Sequence, residues 1–213
     1  MVMIIGIITA AGESRRYGSN KLWELIQDRP LIEYSIQALH PYVGRLFLVV
    51  ASPEDPRWIP LTHPWNIQLV AGGSTRSESV RNGLKKAIET PDFTGVLIHD
   101  GARPFLSSAL IQRLLAQPHQ PMVIPGIPVV DTIKYVNNGT VTHTVDRTNL
   151  WQIQTPQYVR QDIITRLLDT TIDATDEAGI AESLGIPVSI VDGDPHNRKI
   201  TLAGDLNHPT HFP

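Results

Sequence analysis

The sequence contains no cysteine, and that absence excludes disulfide bonds, thiolate zinc sites and cysteine nucleophiles together. It also lacks a strong excess of one charge, because 18 lysines and arginines face 21 aspartates and glutamates, for a net charge of -3. A polyanion would therefore meet no general positive field, which disfavours nucleic acid as a partner. The eight histidines do not cluster at the spacing of metal ligands.

Long apolar stretches are missing as well, and none reaches the roughly 20 residues that a membrane-spanning helix needs. The apolar run over residues 1–11 has no basic leader and is broken by Glu13, Arg15 and Arg16, which does not fit a secretion signal. The 213 residues, 41% of them hydrophobic, are enough for one well-filled core. We therefore expect a single globular, cytoplasmic domain over residues 1–213 with no membrane contact.

Short apolar runs bounded by glycine, proline or aspartate recur along the chain, as expected for strands that are covered on both faces. They lie at residues 3–9, 46–51, 67–71, 96–98, 122–124 and 188–191. Segments of helical period lie between them, one with Pro30 in its first turn and one with Ser77 as its N-cap. Alternating strands and helices predict an α/β fold, a three-layer and mostly parallel Rossmann-like sheet.

One stretch, residues 131–150, departs from this alternation. Two strand-like runs flank the turn sequence Asn137-Asn138-Gly139, which predicts a β-hairpin arm. An isolated hairpin is marginal in water. The arm is thus expected either to be an ordinary surface hairpin of its own domain or to contact a partner subunit.

The first candidate ligand loop directly follows the first predicted strand. Ala10, Ala11 and Gly12 are small enough to let backbone approach a ligand, and Arg16 and Lys21 add positive charge. In an α/β sheet, ligands bind beyond the carboxyl ends of the strands. The loop is consistent with phosphate binding, and the alternative is a polar connection with incidental basic residues.

The standard phosphate-binding motifs do not fit this loop. A Walker loop starting at Gly12 would need glycine at Tyr17 and lysine at Gly18, and the dinucleotide fingerprint would need glycine at Ser14 and Tyr17. An NAD-dependent oxidoreductase is therefore a weak alternative.

Two later loops have the same position after a strand. Gly72-Gly73 and the hydroxyl residues up to Ser79 open a helix, which suits a nucleotide contact or plain helix capping. Asp100 ends a central strand, where a carboxylate can hold Mg²⁺ against a triphosphate or form a turn. Arg103 is interpreted as a brace for the Asp100 loop.

A cation near the C-terminus completes the pattern. Lys199 follows the last predicted strand within residues 192–201, and as a cation near the C-terminus it would close the phosphate site from the opposite side. As a lone lysine it would more often be solvated surface.

Taken together, these segments resemble the 2-C-methyl-D-erythritol 4-phosphate cytidylyltransferases of the non-mevalonate isoprenoid pathway. The resemblance is distributed over nearly the whole chain. Its motifs are residues 10–21, Gly72-Gly73 with Ser79-Val80, residues 99–104, Asp131-Thr132-Ile133-Lys134, residues 143–147, Thr155-Pro156-Gln157, residues 175–178 and Arg198-Lys199-Ile200-Thr201.

The resemblance implies a role for each matching position. The catalytic cations are Arg16, Lys21 and Lys199. Asp100 is the carboxylate for Mg²⁺ or another divalent cation. The CTP contacts are Ala10, Ala11, Gly12, Gly73, Ser79, Asp100 and Ala102. The contacts to the methylerythritol phosphate are Thr132, Arg147, Thr155 and Thr175. The family is a homodimer in which the arm lends Thr132 and Arg147 to the neighbouring site.

The resemblance implies transfer of CMP from CTP to a small phosphorylated polyol with release of pyrophosphate. An acceptor phosphate is already a dianion near neutral pH, so no general base is needed. A ribitol 5-phosphate cytidylyltransferase would share the CTP loops and remains an alternative. A nucleotide-sensing module without catalysis is the alternative from another class, although a sensor would not need the transition-state charges of Arg16, Lys21 and Lys199.

Overall fold

The structure, a computed structural model, describes residues 3–12, 20–172 and 174–207. Its strands are β1 (Met3–Ala10), β2 (Leu25–Ile26), β3 (Arg29–Pro30), β4 (Arg45–Val50), β5 (Gln68–Ala71), β6 (Phe93–Asp100), β7 (Met122–Pro128), β8 (Ile133–Asn137), β9 (Thr140–Val145), β10 (Trp151–Ile153), β11 (Gln157–Arg160) and β12 (Val188–Asp192). Its α-helices are α1 (Leu31–Leu39), α2 (Ile59–Thr62), α3 (Arg76–Ile88), α4 (Ser108–Leu115), α5 (Gln161–Leu168) and α6 (Glu177–Ser183).

The central sheet is mixed and mostly parallel, with the order β10-β7-β11-β6-β1-β4-β5 and with β12 paired to β7. Strands β5, β4, β1 and β6 are parallel neighbours. The antiparallel strand β11 separates β6 from β7. The six predicted apolar runs all lie in or overlap sheet strands, whereas β10 and β11 were not predicted.

Helices cover both faces of the sheet, which confirms the predicted three layers. One hydrophobic cluster joins α1, α2 and α4 to one face, through residues such as Ile36 and Leu110 against Leu97. A second cluster joins α3, α5 and α6 to the other face. Because each parallel strand is buried on both faces, it reads as a continuous apolar run rather than as an alternating pattern.

Successive strands of the chain are added to the sheet on both sides of β1. The chain adds β4 and then β5 on one side of β1, and β6 on the other side. The carboxyl ends of β1 and β6 are therefore the switch point at which open α/β sheets bind ligands. Thr9 and Asp100 are paired in register there, so the backbone itself brings the first loop beside the Asp100 loop.

The helix starts correct two predictions. Helix α3 begins at Arg76, and its N-cap is Thr75 rather than Ser77: the Thr75 side chain accepts a hydrogen bond from the Glu78 N–H at 3.0 Å. The Ser77 hydroxyl instead donates to the Ala174 carbonyl at 3.0 Å. Pro30 is the N-cap residue before α1 and not part of its first turn.

Strands β8 and β9 form the predicted hairpin arm. They pair antiparallel with each other as a separate two-stranded sheet. Asn138 and Gly139 both have positive φ, of 47° and 77°, which is the backbone of a type I′ turn and explains the Asn-Gly sequence. Among the described residues, no helix is long and apolar enough to cross a membrane.

Candidate active site

A cleft of about 570 Å³ opens at the carboxyl ends of β1 and β6, within the size range of small-ligand sites. Its lining residues are Thr9, Ala10, Ala11, Gly12, Lys21, Leu22, Ala51, Gly72, Gly73, Ser74, Thr75, Arg76, Ser79, Asp100, Ala102, Lys199 and Thr201.

The cleft brings together residues from the beginning, middle and end of the chain, as the predicted site requires. The predicted residues on its wall are Ala10, Ala11, Gly12, Lys21, Gly73, Ser79, Asp100, Ala102 and Lys199. Arg16 lies outside the described residues. Lys21 and Lys199 therefore share one cavity with a carboxylate, which is the convergence that a triphosphate site needs.

Asp100 is the electrostatic centre of this cavity. Its Oδ1 accepts from Arg76 Nε at 3.0 Å, and its Oδ2 accepts from Lys199 Nζ at 2.7 Å. The side chain is only 9% exposed. Burial raises the pKa of the Asp100 carboxyl, but the charges of Arg76 and Lys199 outweigh burial and hold that pKa well below its ordinary value. The group is a carboxylate at every physiological pH.

Arg76 is a site residue that the sequence analysis missed. Besides its bond to Asp100, its guanidinium donates to both carboxylate oxygens of Glu177, at 2.8 and 3.1 Å. The Glu177 side chain is 2% exposed. Burial raises the pKa of the Glu177 carboxyl, and the Arg76 charge opposes that rise. Arg76 thus links two buried carboxylates, one on β6 and one at the start of α6.

The two lysines are positioned by a single short backbone segment. Lys21 Nζ donates to the Ile200 carbonyl at 2.8 Å, and Lys199 directly precedes Ile200. The Ile200 N–H in turn donates to the Ala102 carbonyl at 2.8 Å. Hydrogen bonds therefore connect the loop after β1, the loop after β6 and the segment that carries Lys199.

The segment before Lys199 is held against the sheet by buried polar side chains. The Asn197 amide donates to the Thr155 carbonyl at 2.7 Å. Gln154 donates to the Asp194 carbonyl at 2.8 Å and accepts from the Asp194 N–H at 3.0 Å. These contacts fix the backbone from which Lys199 reaches Asp100. The lysine is therefore part of the site and not an ordinary solvated surface residue.

Thr155 is hydrogen-bonded to the end of β6, at His99 and Asp100. Its hydroxyl oxygen accepts from the Asp100 N–H at 3.0 Å and is 3.0 Å from His99 Nδ1. The other ring nitrogen of His99 faces the Arg103 carbonyl at 3.1 Å. A carbonyl only accepts, so Nε2 carries the proton and Nδ1 accepts from the Thr155 hydroxyl. Burial lowers the pKa of His99 to about 4, which keeps the ring neutral.

Gly72 and Gly73 let the loop after β5 pack closely, Gly72 against the loop after β1 and Gly73 against the start of α3. A Cβ at Gly72 would lie 2.4 Å from the Ala11 Cβ, and one at Gly73 would lie 2.2 Å from the Glu78 Cγ. The Ser79 hydroxyl accepts from the Gly73 N–H at 3.1 Å, and Glu78 accepts from the Ser74 N–H at 2.6 Å. Side chains at the start of α3 therefore accept from these loop N–H groups while the loop lines the cleft.

Arg103 braces the Asp100 loop, as interpreted from the sequence. Its guanidinium donates to the Asn197 carbonyl at 2.7 Å and to the Ile153 carbonyl at 3.4 Å. Its Nε lies 4.0 Å from Asp100 Oδ2, so it adds positive charge behind the carboxylate without lining the cavity.

The chain is similar in sequence and fold to known proteins. The model of the family 2-C-methyl-D-erythritol 4-phosphate cytidylyltransferase matches residues 4–211. The chain belongs to this family.

Relatives in the family are similar over nearly the full length. The 2-C-methyl-D-erythritol 4-phosphate cytidylyltransferase of Dictyoglomus thermophilum is 40% identical, covering 97% of this chain and 94% of that protein. The protein of the same name from Syntrophotalea carbinolica is 39% identical, covering 94% of this chain and 91% of that protein.

Solved structures of the same family share the fold. A crystal structure of 4-diphosphocytidyl-2C-methyl-D-erythritol synthase superposes with a TM-score of 0.84 at 33% identity, covering 97% of this chain and 96% of that chain. The synthase of Anaerococcus prevotii superposes with a TM-score of 0.81 at 27% identity, covering 97% of this chain and 93% of that chain.

The four positions matched to the family's acceptor contacts lie in three places. Thr155 is buried beneath Asp100. Thr175 is exposed just before α6. Thr132 and Arg147 lie on the exposed arm, where the Arg147 guanidinium donates to the Val130 carbonyl. None of the four is among the described residues that line the cleft.

Hydrogen bonds connect helix α3, whose N-terminus lines the cleft, to the segment around Thr175. Arg81 donates to the Leu168 carbonyl at 2.9 Å and also to the Thr170 carbonyl. Nearer the N-terminus of the helix, the Ser77 hydroxyl donates to the Ala174 carbonyl and the Arg76 guanidinium donates to the Glu177 carboxylate. The loop between α5 and α6 is thus attached at several points to the helix whose N-terminus lines the cleft.

The residues present fit a magnesium ion that is bound together with a triphosphate. Among the residues described, no group of three or more histidine, aspartate and glutamate side chains could hold a metal on its own. Mg²⁺ commonly uses one or two carboxylates and takes its other ligands from substrate phosphates and water. Asp100 is a carboxylate in the cleft that fits this need.

Proposed function

We propose that this protein transfers CMP from CTP to 2-C-methyl-D-erythritol 4-phosphate and releases pyrophosphate. The observation that carries the proposal is the shared cleft of Lys21, Lys199 and Asp100 at the switch point of the sheet. Two cations and one carboxylate suit a triphosphate with its metal ion. Membership of the cytidylyltransferase family supports the choice of nucleotide and acceptor.

In this reaction an oxygen of the acceptor phosphate attacks the α-phosphorus of CTP. The new P–O bond forms as the bond to the bridging oxygen of the β-phosphate breaks, and pyrophosphate leaves with that electron pair. The acceptor oxygen carries no proton that must be removed near neutral pH. Catalysis then consists of positioning and charge stabilisation.

Lys21, Lys199 and Arg16 have the charge to stabilise the additional negative charge that develops on the phosphates. The cleft wall at Ala10, Ala11, Gly12, Gly73, Ser79 and Ala102 is where the nucleoside would lie. Asp100 would hold a divalent cation, Mg²⁺ or another, and a cation there would offset negative charge on the phosphates. Arg76 also lines the cleft and holds the Asp100 carboxylate in place through its hydrogen bond to Oδ1.

For the acceptor we propose a site that is shared between two subunits. Strands β8 and β9 of the arm form a sheet only with each other among the described residues, and they expose Tyr135, Val136 and Val141 at 58%, 53% and 56%. Such a hairpin needs a partner surface to be stable. A homodimer in which each arm brings Thr132 and Arg147 to the neighbouring cleft, beside Thr175, would meet both needs.

The experiment that tests the function is pyrophosphate release from each of the four ribonucleoside triphosphates with each of two acceptors. We expect rapid release with CTP and 2-C-methyl-D-erythritol 4-phosphate. Faster release with ribitol 5-phosphate would identify the related cytidylyltransferase instead, and CTP binding without release with either acceptor would indicate a sensor.

A further inference from the structure

The two cations on Asp100 create a conflict for any divalent ion that approaches the same carboxylate. Arg76 and Lys199 each donate to one carboxylate oxygen, at 3.0 and 2.7 Å. A carboxylate has lone pairs for further ligands. A dication beside an ammonium and a guanidinium would nevertheless meet like charges at contact distance, in a site where solvent screens little.

The two cations are held very differently. The Arg76 guanidinium also makes two hydrogen bonds to Glu177, whose side chain is 2% exposed. If Arg76 left, the buried Glu177 carboxylate would lose both of these bonds and Asp100 would lose one of its two charged hydrogen bonds, which is strongly unfavourable. Lys199 makes one charged hydrogen bond in the described structure, and its side chain is 39% exposed. Its flexible stem lies on the wall of the cleft.

We propose that Asp100 keeps Arg76 as a permanent positioning partner and exchanges Lys199 for the divalent cation that arrives with the triphosphate. This inference rests on the proposed function for the identity of the ligand. The triphosphate provides the anionic groups that the released Lys199 ammonium needs. A divalent cation alone provides none, so Lys199 stays on Asp100 and blocks metal binding until the nucleotide is present.

The test measures Mn²⁺ binding to the nucleotide-free protein by electron paramagnetic resonance. Lys199→Met should bind Mn²⁺ about tenfold or more tightly than the unaltered protein, a change in the usual range for two coupled sites. The matched control is Lys21→Met, which removes a cleft cation that bonds to the Ile200 carbonyl instead of Asp100. That control should change the Mn²⁺ affinity by less than about threefold. Lys21→Met removes only a repulsion between Lys21 and the metal ion that acts over a longer distance, and solvent and salt screen it.

A double variant shows where the gain arises. Lys199→Met with Asp100→Asn should lose the added Mn²⁺ affinity, because the freed carboxylate is removed. The proposal is overturned if Lys199→Met binds Mn²⁺ no more tightly than Lys21→Met, or if the gain survives Asp100→Asn. Lys199→Ala serves as a second variant if Lys199→Met does not fold. No nucleotide or turnover enters the measurement, so its failure differs from a failure to release pyrophosphate.

Discussion

Arg76 and Glu177 are 101 residues apart in the chain and form a bidentate ion pair, with bonds of 2.8 and 3.1 Å, at the edge of the cleft. The pair joins the first turn of α3 to the first turn of α6, and through Asp100 it also reaches β6. It therefore fixes the relative positions of the start of α3, the Asp100 carboxylate and the segment that contains Thr175.

Removing Arg76 should destabilise the fold strongly. Arg76→Met leaves Glu177 buried without its partner, a situation that typically costs about 3–5 kcal/mol of unfolding free energy. Urea denaturation measures the change. The control is Arg57→Ala, which breaks an ion pair with Asp55 at 2.6 Å on the surface and should have a far smaller effect because solvent screens it. Equal effects of the two substitutions would contradict the structural role of the Arg76 pair.

The buried His99 ring should make the fold less stable in mild acid. Its pKa is about 4 in the fold and near the ordinary value of about 6.5 in the unfolded chain, so the unfolded chain binds more protons between these values. The contribution of the neutral His99 ring to the free energy of unfolding is therefore present above pH 6.5, and it is lost as the pH falls toward 4. Linkage gives a loss of about 2 kcal/mol between pH 7 and pH 5 from this group.

The His99 contribution is isolated by comparing variants. His99→Asn should remove most of that slope in the unfolding free energy, since other groups titrate equally in both proteins. The exposed His119 offers a control, and His119→Asn should keep the slope of the unaltered protein. If His99→Asn retained the full slope, the assigned neutral ring and its bond from the Thr155 hydroxyl would be wrong.

Loss of a cleft cation should act mainly on turnover. Lys21→Ala, and equally Arg16→Ala, should lower kcat by about two to three orders of magnitude, as for the loss of one oxyanion donor. The control Lys86→Ala removes a lysine that pairs with Glu89 near the end of α3 and should leave kcat unchanged. Near-normal turnover in both Lys21→Ala and Arg16→Ala would contradict the assigned roles.

The arm residues should act on acceptor binding, and in the neighbouring subunit. Arg147→Ala should mainly raise the acceptor KM, because its guanidinium would bind the single phosphate of the acceptor, and that contact would already be made before the reaction begins. When equal amounts of Arg147→Ala and Lys21→Ala chains are unfolded and refolded together, random C₂ pairing would restore about a quarter of the normal activity. Each mixed dimer then has one intact site. A mixture no more active than its components would exclude a shared site.

Much of the sheet could be predicted from the sequence because strands buried on both faces leave continuous apolar runs, as in residues 3–9 of β1. Strands β10 and β11 could not, because they are three and four residues long and mix polar with apolar residues. Their antiparallel pairing depends on contacts with β6 and β7 that leave no periodic signal.

The loops of the candidate site were recognisable because glycines and charges directly follow strands. The Arg76–Glu177 pair was missed because Arg76 lies among hydroxyl residues typical of a helix start, and nothing local links it to Glu177. The cap was assigned to Ser77 for a related reason: several hydroxyl residues compete there, and only the backbone shows that Thr75 accepts from the Glu78 N–H. Long-range pairing of charges is a property of the folded chain.

The most direct test of nucleotidyl transfer follows radioactive phosphorus from CTP that is labelled at either the α or the γ position, in the presence of Mg²⁺ and 2-C-methyl-D-erythritol 4-phosphate. Attack at the α-phosphorus predicts that the α label enters the cytidine-linked sugar product and that the γ label is found in pyrophosphate. Transfer of the γ label to the acceptor, or its release as orthophosphate with no labelled sugar product, would contradict the account.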